Sequence, residues 1–466
     1  MSSSNPPLLE GATRDLAAFA ATLEFDHIPV DVVSRIKISV LDSIGCCLFG
    51  ATLPWTQKVQ SMVDEEGASP VASIFGTGRR SSVAGAVLVN ATAGHAFELD
   101  DIHKESIVHP GSIALPVVVA LAEKTGRRRG RELITALVAG YEVGTRVGNA
   151  ATMSLFFRGF HPQGTSGAFV AAAAAGRMLG LSSQRMQHAL GIVGSQAGGL
   201  MAAQEGAMVK RFHSGRAGQS GIYAALLAEK EFTGITDVLE AHYGGYLTAY
   251  SDKPDPRRLT DGLGEVWESG KIGYKPHASV TSIHAALDAL AGLLQENRLA
   301  ADDIAKVDVG VSHMTFVHCV WDYKALGVTA AQMNLYYSLA VIAFDGVAFV
   351  DQYREDRLND PRIFDFISRI DAHADPEIDA MGPAFRHAAR LTVTTRDGTQ
   401  HSKEILHRRG SPENPLAPED VEYKFRNVVR TCLSTDDIEK AIDLSARLDT
   451  LEDAQPLIDL ISAARR

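Results

Sequence analysis

The stretch Gly167-Ala168-Phe169-Val170-Ala171-Ala172-Ala173-Ala174-Ala175-Gly176-Arg177-Met178-Leu179-Gly180-Leu181 is crowded with glycine and alanine, and the crowding recurs from Ala189 to Ala203. Side chains this small let helix axes approach closely. In lipid the pattern would mean membrane packing, but the longest apolar runs, such as Ile113 to Ala122 and Ala168 to Ala175, fall far short of the roughly 20 residues that span a bilayer. Tight helix-on-helix packing in a soluble protein is the reading that remains.

The surrounding sequence extends it. From about Ala12 to Lys230 apolar residues recur at helical spacing, as in Leu16, Phe19, Leu23 and Val33, Ile36, Val40, Ile44, one stripe per helix. Around Lys271 the texture changes. Lys306 to Ser312 and Arg390 to Thr395 alternate like half-buried strands, and Arg396-Asp397-Gly398-Thr399 predicts a hairpin turn returning through His401 to Leu406. Helical texture resumes after Asn414-Pro415-Leu416. The expected fold is mainly α: a large all-helical domain (1–268 and 409–466) with a smaller inserted α+β lid domain (269–408). A chain of 466 residues with 45% hydrophobic and 22% charged side chains has the length for two or three domains and the composition to bury a large core.

The net charge of −11 gives no long-range attraction to phosphate backbones or acidic membranes, so neither nucleic acid nor a membrane is an expected partner. Four cysteines, two of them the adjacent Cys46 and Cys47, make neither a disulfide framework nor a C-x-x-C pair. With no secretory signal legible at the N-terminus, a cytoplasmic location is expected. No dinucleotide fingerprint, P-loop, nucleophile elbow or zinc spacing appears.

Polar chemistry concentrates in a few segments. Glu98-Leu99-Asp100-Asp101-Ile102-His103-Lys104-Glu105-Ser106-Ile107-Val108-His109, after a helix predicted over Ala84 to Phe97, puts carboxylates beside imidazoles. Such a loop suits a histidine whose protonation is set by neighbouring acids; a charged surface loop or a divalent-metal set of Asp100, Asp101, His103 and His109 are the competing readings. His161, on a Pro/Gly loop, precedes the small-residue helix, where backbone N–H groups with Thr165 or Ser166 as caps would hold a carboxylate. Lys210-Arg211-Phe212-His213-Ser214-Gly215-Arg216 places three cations and an imidazole together in an acidic chain. Arginine offers carboxylates a bidentate fork, and a partly buried lysine can serve as a base. The kit suits proton transfer next to a carboxylate, with cations stabilising enediolate-like charge. His284 reads equally well as a packed helix-start residue; His313, His318, His373, His387 and His401 carry no functional expectation.

These segments, with Leu41-Asp42-Ser43-Ile44-Gly45, Gly140-Tyr141-Glu142-Val143-Gly144, Ile283-His284-Ala285-Ala286 and Gly410-Ser411-Pro412-Glu413-Asn414-Pro415-Leu416, resemble the MmgE/PrpD family over nearly the whole chain. That family includes 2-methylcitrate dehydratases, cis-aconitate decarboxylases and an iminodisuccinate epimerase. The resemblance implies an active site between a helical and a lid-like domain, a homodimer, and no metal or organic cofactor. It implies Lys210, His161, His109 and Asp101 as catalytic residues, with Glu98, His103, Arg211, His213 and Arg216 binding a small anionic polycarboxylate. Two positions depart from the family pattern: Ile102 stands where many members have threonine, and Val280 where the decarboxylases carry a histidine. The second argues against itaconate-forming decarboxylation. The leading expectation is therefore an epimerase of an iminodisuccinate-like substrate, with a dehydratase of the 2-methylcitrate kind and a non-catalytic carboxylate-binding protein as alternatives.

Overall fold

The structure is a computed structural model and describes residues 9–464. Helices α1 (Ala12–Thr22) and α2 (Val30–Gly50) form on the stripes the spacing predicts, burying Leu16 and Ala20 in one and Val33, Ile36, Val40 and Ile44 in the other. After α3 (Pro54–Glu66) a short hairpin, β1 (Ala72–Ile74) and β2 (Arg79–Ser81), leads into α4 (Val83–Gly94). Ser82 caps α4 by accepting from the Gly85 N–H, and the helix is buried on every face because apolar and small residues surround it. A two-residue strand β3 (Ile102–His103), then α5 (Gly111–Thr125), α6 (Gly130–Phe157), α7 (Pro162–Thr165), α8 (Gly167–Leu179), α9 (Ser183–Gly194), α10 (Val209–Glu229) and α11 (Tyr246–Tyr250) complete the helical body.

The quoted small-residue stretch is α8, and it lies at the centre, packed against α5, α6, α9 and α10. Close approach explains the glycines that face it. A Cβ at Gly221 of α10 would overlap Ala171, and one at Gly144 of α6 would overlap Val170. Among the described residues no single helix is long and apolar enough to cross a bilayer.

The α+β part opens with β4 (Ile272–Gly273) and α12 (His284–Asn297). It continues through β5 (Ile304–Val311), α13 (His313–Cys319), α14 (Val328–Gln332), α15 (Leu335–Asp345), α16 (Pro361–Ile367), β6 (Ile370–Ala374), α17 (Pro376–Ala380), β7 (Ala389–Thr395) and β8 (Gln400–Ile405). The sheet order is β6-β5-β7-β8; β5 and β6 are parallel, joined by the helical crossover such a pair requires, and the other pairings are antiparallel. The alternation read from Arg390 to Thr395 is real: Leu391, Val393 and Thr395 face inward, and α12 covers β7 and β8. The mainly α class with a small sheet agrees with the sequence reading.

Two links set the site. β3 and β4 pair antiparallel, Ile102 with Gly273 and His103 with Ile272, so the start of the α+β part is stitched to the acidic loop. The tail helices α18 (Pro418–Val429) and α19 (Thr435–Ala446) pack on α2, and α20 (Gln455–Ser462) ends the described chain. From α18, Lys424 donates to Asp42 Oδ1 at 2.6 Å and to the Leu99 carbonyl at 2.5 Å, all buried.

Candidate active site

Helix α4 ends at Gly94, short of the predicted Phe97, and this early stop releases His95 to Asp101 as an irregular buried segment. Within it Glu98 has φ 54°, a left-handed conformation that costs a non-glycine residue of order 1 kcal/mol and clusters at functional sites. The side chain explains why it persists. Oε1 accepts from Lys210 Nζ and from Arg211 Nη1 (2.6 Å), and Oε2 accepts from Lys275 Nζ at 3.1 Å. Burial alone would raise the Glu98 carboxyl, but Lys210, Lys275 and Arg211 together hold it well below the usual range. Lys210 and Arg211 arrive from the first turn of α10, and Lys275 from the segment after β4.

Burial, opposed by Glu98 and reinforced by Arg211 and Lys275, brings the Lys210 ammonium down to about 8. Arg211 is otherwise committed: its Nη2 donates to Thr329 Oγ1 (3.2 Å) and Gln332 Oε1 (3.1 Å). Gln332 Nε2 in turn donates to the carbonyls of Phe97 (2.7 Å) and Ala278 (2.9 Å), tying α14 to both sides.

Beside this cluster runs a file of imidazoles, with ring centroids 4.9 Å apart for His95–His109, 5.7 Å for His95–His161 and 5.1 Å for His161–His213. His95 Nδ1 donates to Asp100 Oδ2 at 2.8 Å. His109 Nδ1 donates to the Asp101 carbonyl at 2.7 Å with Asp100 Oδ1 at 3.3 Å; a carbonyl only accepts, so in the neutral ring the Nε2 carries the lone pair. His161 and His213 share a hydrogen bond between their Nδ1 atoms at 2.9 Å. Burial pulls His95 down to about 3 and, with Lys210 nearby, His213 to about 4; His161 is also lowered well below its ordinary value by burial and Lys210. These three rings are neutral at neutral pH.

A cavity of about 50 Å³ opens on this arrangement, lined by Glu98, His109, His161, Lys210 and Lys275, and across from the helical body by Val280, Met314, His318 and His387. Of the residues expected from the sequence, Glu98, His109, His161 and Lys210 line the cavity, Arg211 grips Glu98, and His213 backs His161.

Three are not brought to it. Asp101 spends both oxygens on structure, Oδ1 accepting from the Gly111 N–H (3.0 Å) and Oδ2 from the Tyr141 O–H (2.8 Å), so it anchors α5 and α6. His103 turns to Glu268 (2.9 Å) and Ser106 (2.9 Å), because successive residues of β3 point to opposite faces and Ile102 takes the cavity side. Arg216 lies on the exposed side of α10, bonded to Gln219; six residues from Lys210, it is rotated about 120° around the helix. The expected caps of α8 also differ: Ser166 bonds Tyr246 O–H at 2.9 Å and Thr165 donates back to the His161 carbonyl at 3.2 Å.

Sequence reasoning missed His95, Lys275, His318 and His387. Lys275 carries no functional expectation from the sequence, and only the β3–β4 pairing brings it to Glu98. His95, Asp100 and His109 offer ligand atoms within 4.8 Å of one another. The Lys275 ammonium already stands 3.8 Å from Asp100 Oδ1, a positive charge where a cation would sit. The arrangement fits a hydrogen-bonded carboxylate–imidazole relay better.

Comparison with known proteins gives the same outline. The family model described as the MmgE/PrpD N-terminal domain matches residues 14–259, and that of the MmgE/PrpD C-terminal domain residues 277–450. The chain is 31% identical to the "Cis-aconitate decarboxylase-like protein oryM" of Aspergillus oryzae, over 97% of each chain. It is 32% identical to a cis-aconitate decarboxylase of Aspergillus terreus (97% of this chain, 96% of the relative) and 28% identical to the human cis-aconitate decarboxylase (97% and 95%).

Proposed function

The chain belongs to the MmgE/PrpD family, and on that premise we propose that it is a lyase acting on a small tricarboxylate, with decarboxylation of a cis-aconitate-like acid as its reaction. The observation that carries the reading is the Glu98 carboxylate gripped by Lys210, Arg211 and Lys275 on the wall of a buried, imidazole-lined cavity. Three cations against Glu98 and Asp100 leave a positive excess there, which suits an anionic substrate in a chain whose net charge is −11.

In such an acid the bond between a carboxyl carbon and its methylene breaks and CO2 leaves. The electron pair shifts through the double bond toward the neighbouring carboxylate, where Lys275 and Lys210 stabilise it, and a proton is delivered to the former alkene carbon. Lys210 is suited to deliver it: with its ammonium at about 8, it is mostly protonated at neutral pH yet close enough to give up the proton. The relatives' activities, as named, support this reading over the epimerase expected from the sequence. The Val280 departure weighs less than expected, because His318 and His387 line the same wall.

Dehydration of a hydroxytricarboxylate is the second reading, and the Asp100–His109 pair favours it. Asp100 beside Nδ1 would stabilise the imidazolium formed when Nε2 takes a carbon-bound proton, a step decarboxylation does not need. Incubation with cis-aconitate and, separately, with citrate and 2-methylcitrate decides between them: CO2 release from the first supports decarboxylation, and alkene formation from the others supports dehydration.

A further inference from the structure

The far wall of the cavity carries polar groups that the reaction above does not use. His318, on α13, donates Nε2–H to Gln204 Oε1 at 2.6 Å, so its Nδ1 is a bare acceptor, and that Nδ1 is buried with no hydrogen-bond partner. His387 is 7% exposed and its Nδ1 is likewise unpartnered. Lys104, 7% exposed, donates to the Ala384 carbonyl (2.7 Å) and to Glu413 Oε1 (3.0 Å), which leaves one of its three N–H groups unspent. All three line the cavity.

The charge around them is compensated only at a distance: Asp288 and Glu413 act on Arg408, and Glu105 and Glu413 on Arg386, without a close ion pair to either guanidinium among the described residues. Arg408 is 2% exposed, and its Nε and Nη2 have no partner; among the described residues no carboxylate lies within 4 Å of it. Arg386 reaches Glu105 only at 3.8 Å. Burial, then Arg386, Arg408, Lys104 and His318, keep His387 well below its ordinary value, and burial and Lys210, opposed by Glu98, bring His318 to about 4. A buried positive charge left without a partner is costly, and an anion placed against this wall would relieve it.

We propose that Lys104, His318 and His387 form a second carboxylate subsite, which takes the end of a polycarboxylate remote from Lys210 and Lys275. The proposal rests on the reading of the cavity as a tricarboxylate site. The bound carboxylate accepts from the spare Lys104 N–H and from imidazole N–H groups, so His318 must gain a proton at Nδ1. Binding at this wall is therefore coupled to proton uptake, and it selects acids long enough to reach both ends.

Calorimetry of the wild-type chain with two unreactive probes tests this apart from turnover: propane-1,2,3-tricarboxylate, and succinate, which lacks one carboxymethyl arm, as the shorter-reach dicarboxylate. The tricarboxylate is expected to bind about tenfold or more tightly, as one charge-assisted contact allows. Its apparent enthalpy should change with buffer ionisation heat in the sense of proton uptake. His318→Gln and Lys104→Met should each bring the tricarboxylate close to succinate while leaving succinate unchanged. Equal binding of the two probes by the wild type, or a tricarboxylate preference that survives both variants in folded form, would overturn the subsite. Failure of the lyase reading would instead appear as absence of turnover with the probe preference intact.

Discussion

Glu98 is the residue on which the site turns, since it joins Lys210, Arg211 and Lys275 through a strained backbone. Lys210→Ala is expected to lower kcat by on the order of 10²-fold or more, the usual weight of a proton-transfer group, while circular dichroism stays native. The pH dependence has a definite sign. If Lys210 must carry its proton, kcat/KM is flat below about 8, where the ammonium sits, and falls as pH rises through it. Lys210→Arg, which keeps the charge but cannot release its proton in this range, should be as slow as Lys210→Ala; in the wild type, a rate that climbs through the same pH would make Lys210 a base instead. Asp100→Asn, which loosens the His109 tautomer, should change CO2 release from cis-aconitate little but cost about tenfold or more in any dehydration of a hydroxytricarboxylate, so the two assays run side by side separate the readings. At this scale the sequence was partly informative: the dense Glu98–His109 and Lys210–His213 segments stood out by composition. His318 and His387 did not, because an isolated imidazole acquires meaning only from what packs against it.

At the scale of elements, small side chains decide how closely α8 is approached. Gly221→Ala or Gly144→Ala would push α10 or α6 away from it and should cost about 1–3 kcal/mol, as overpacking does, visible as a lower urea midpoint. Because α10 carries Lys210, the Gly221 change should also reduce activity more than Gly144→Ala does. The helices and the β7–β8 hairpin were legible because stripes of three and four residues and strict alternation are long enough to show a period. The β3–β4 pairing was not, since two residues per strand carry no period at all, yet it delivers Lys275. The early end of α4 was hidden for a related reason: His95, Ala96 and Phe97 continue the apolar pattern into a segment whose conformation is set by Asp100 and Lys210.

Over the whole molecule, the tail holds the site from behind. Lys424→Met would strand Asp42 without its cation and free the Leu99 carbonyl beside Glu98; breaking one side of a buried pair costs about 3–5 kcal/mol, so thermal unfolding should shift down and kcat should fall with it. The homodimer implied by the family resemblance is expected in sedimentation as a species of twice the 50.0 kDa chain mass, and a monomer at micromolar concentration would refute it. The central measurement is proton NMR of the enzyme with cis-aconitate in deuterated water, run beside a CO2 assay. The expected result is loss of cis-aconitate with equimolar CO2 and one solvent deuteron in an unsaturated dicarboxylate product. Interconversion of stereoisomers without CO2, or alkene signals arising only from hydroxy acids, would contradict it.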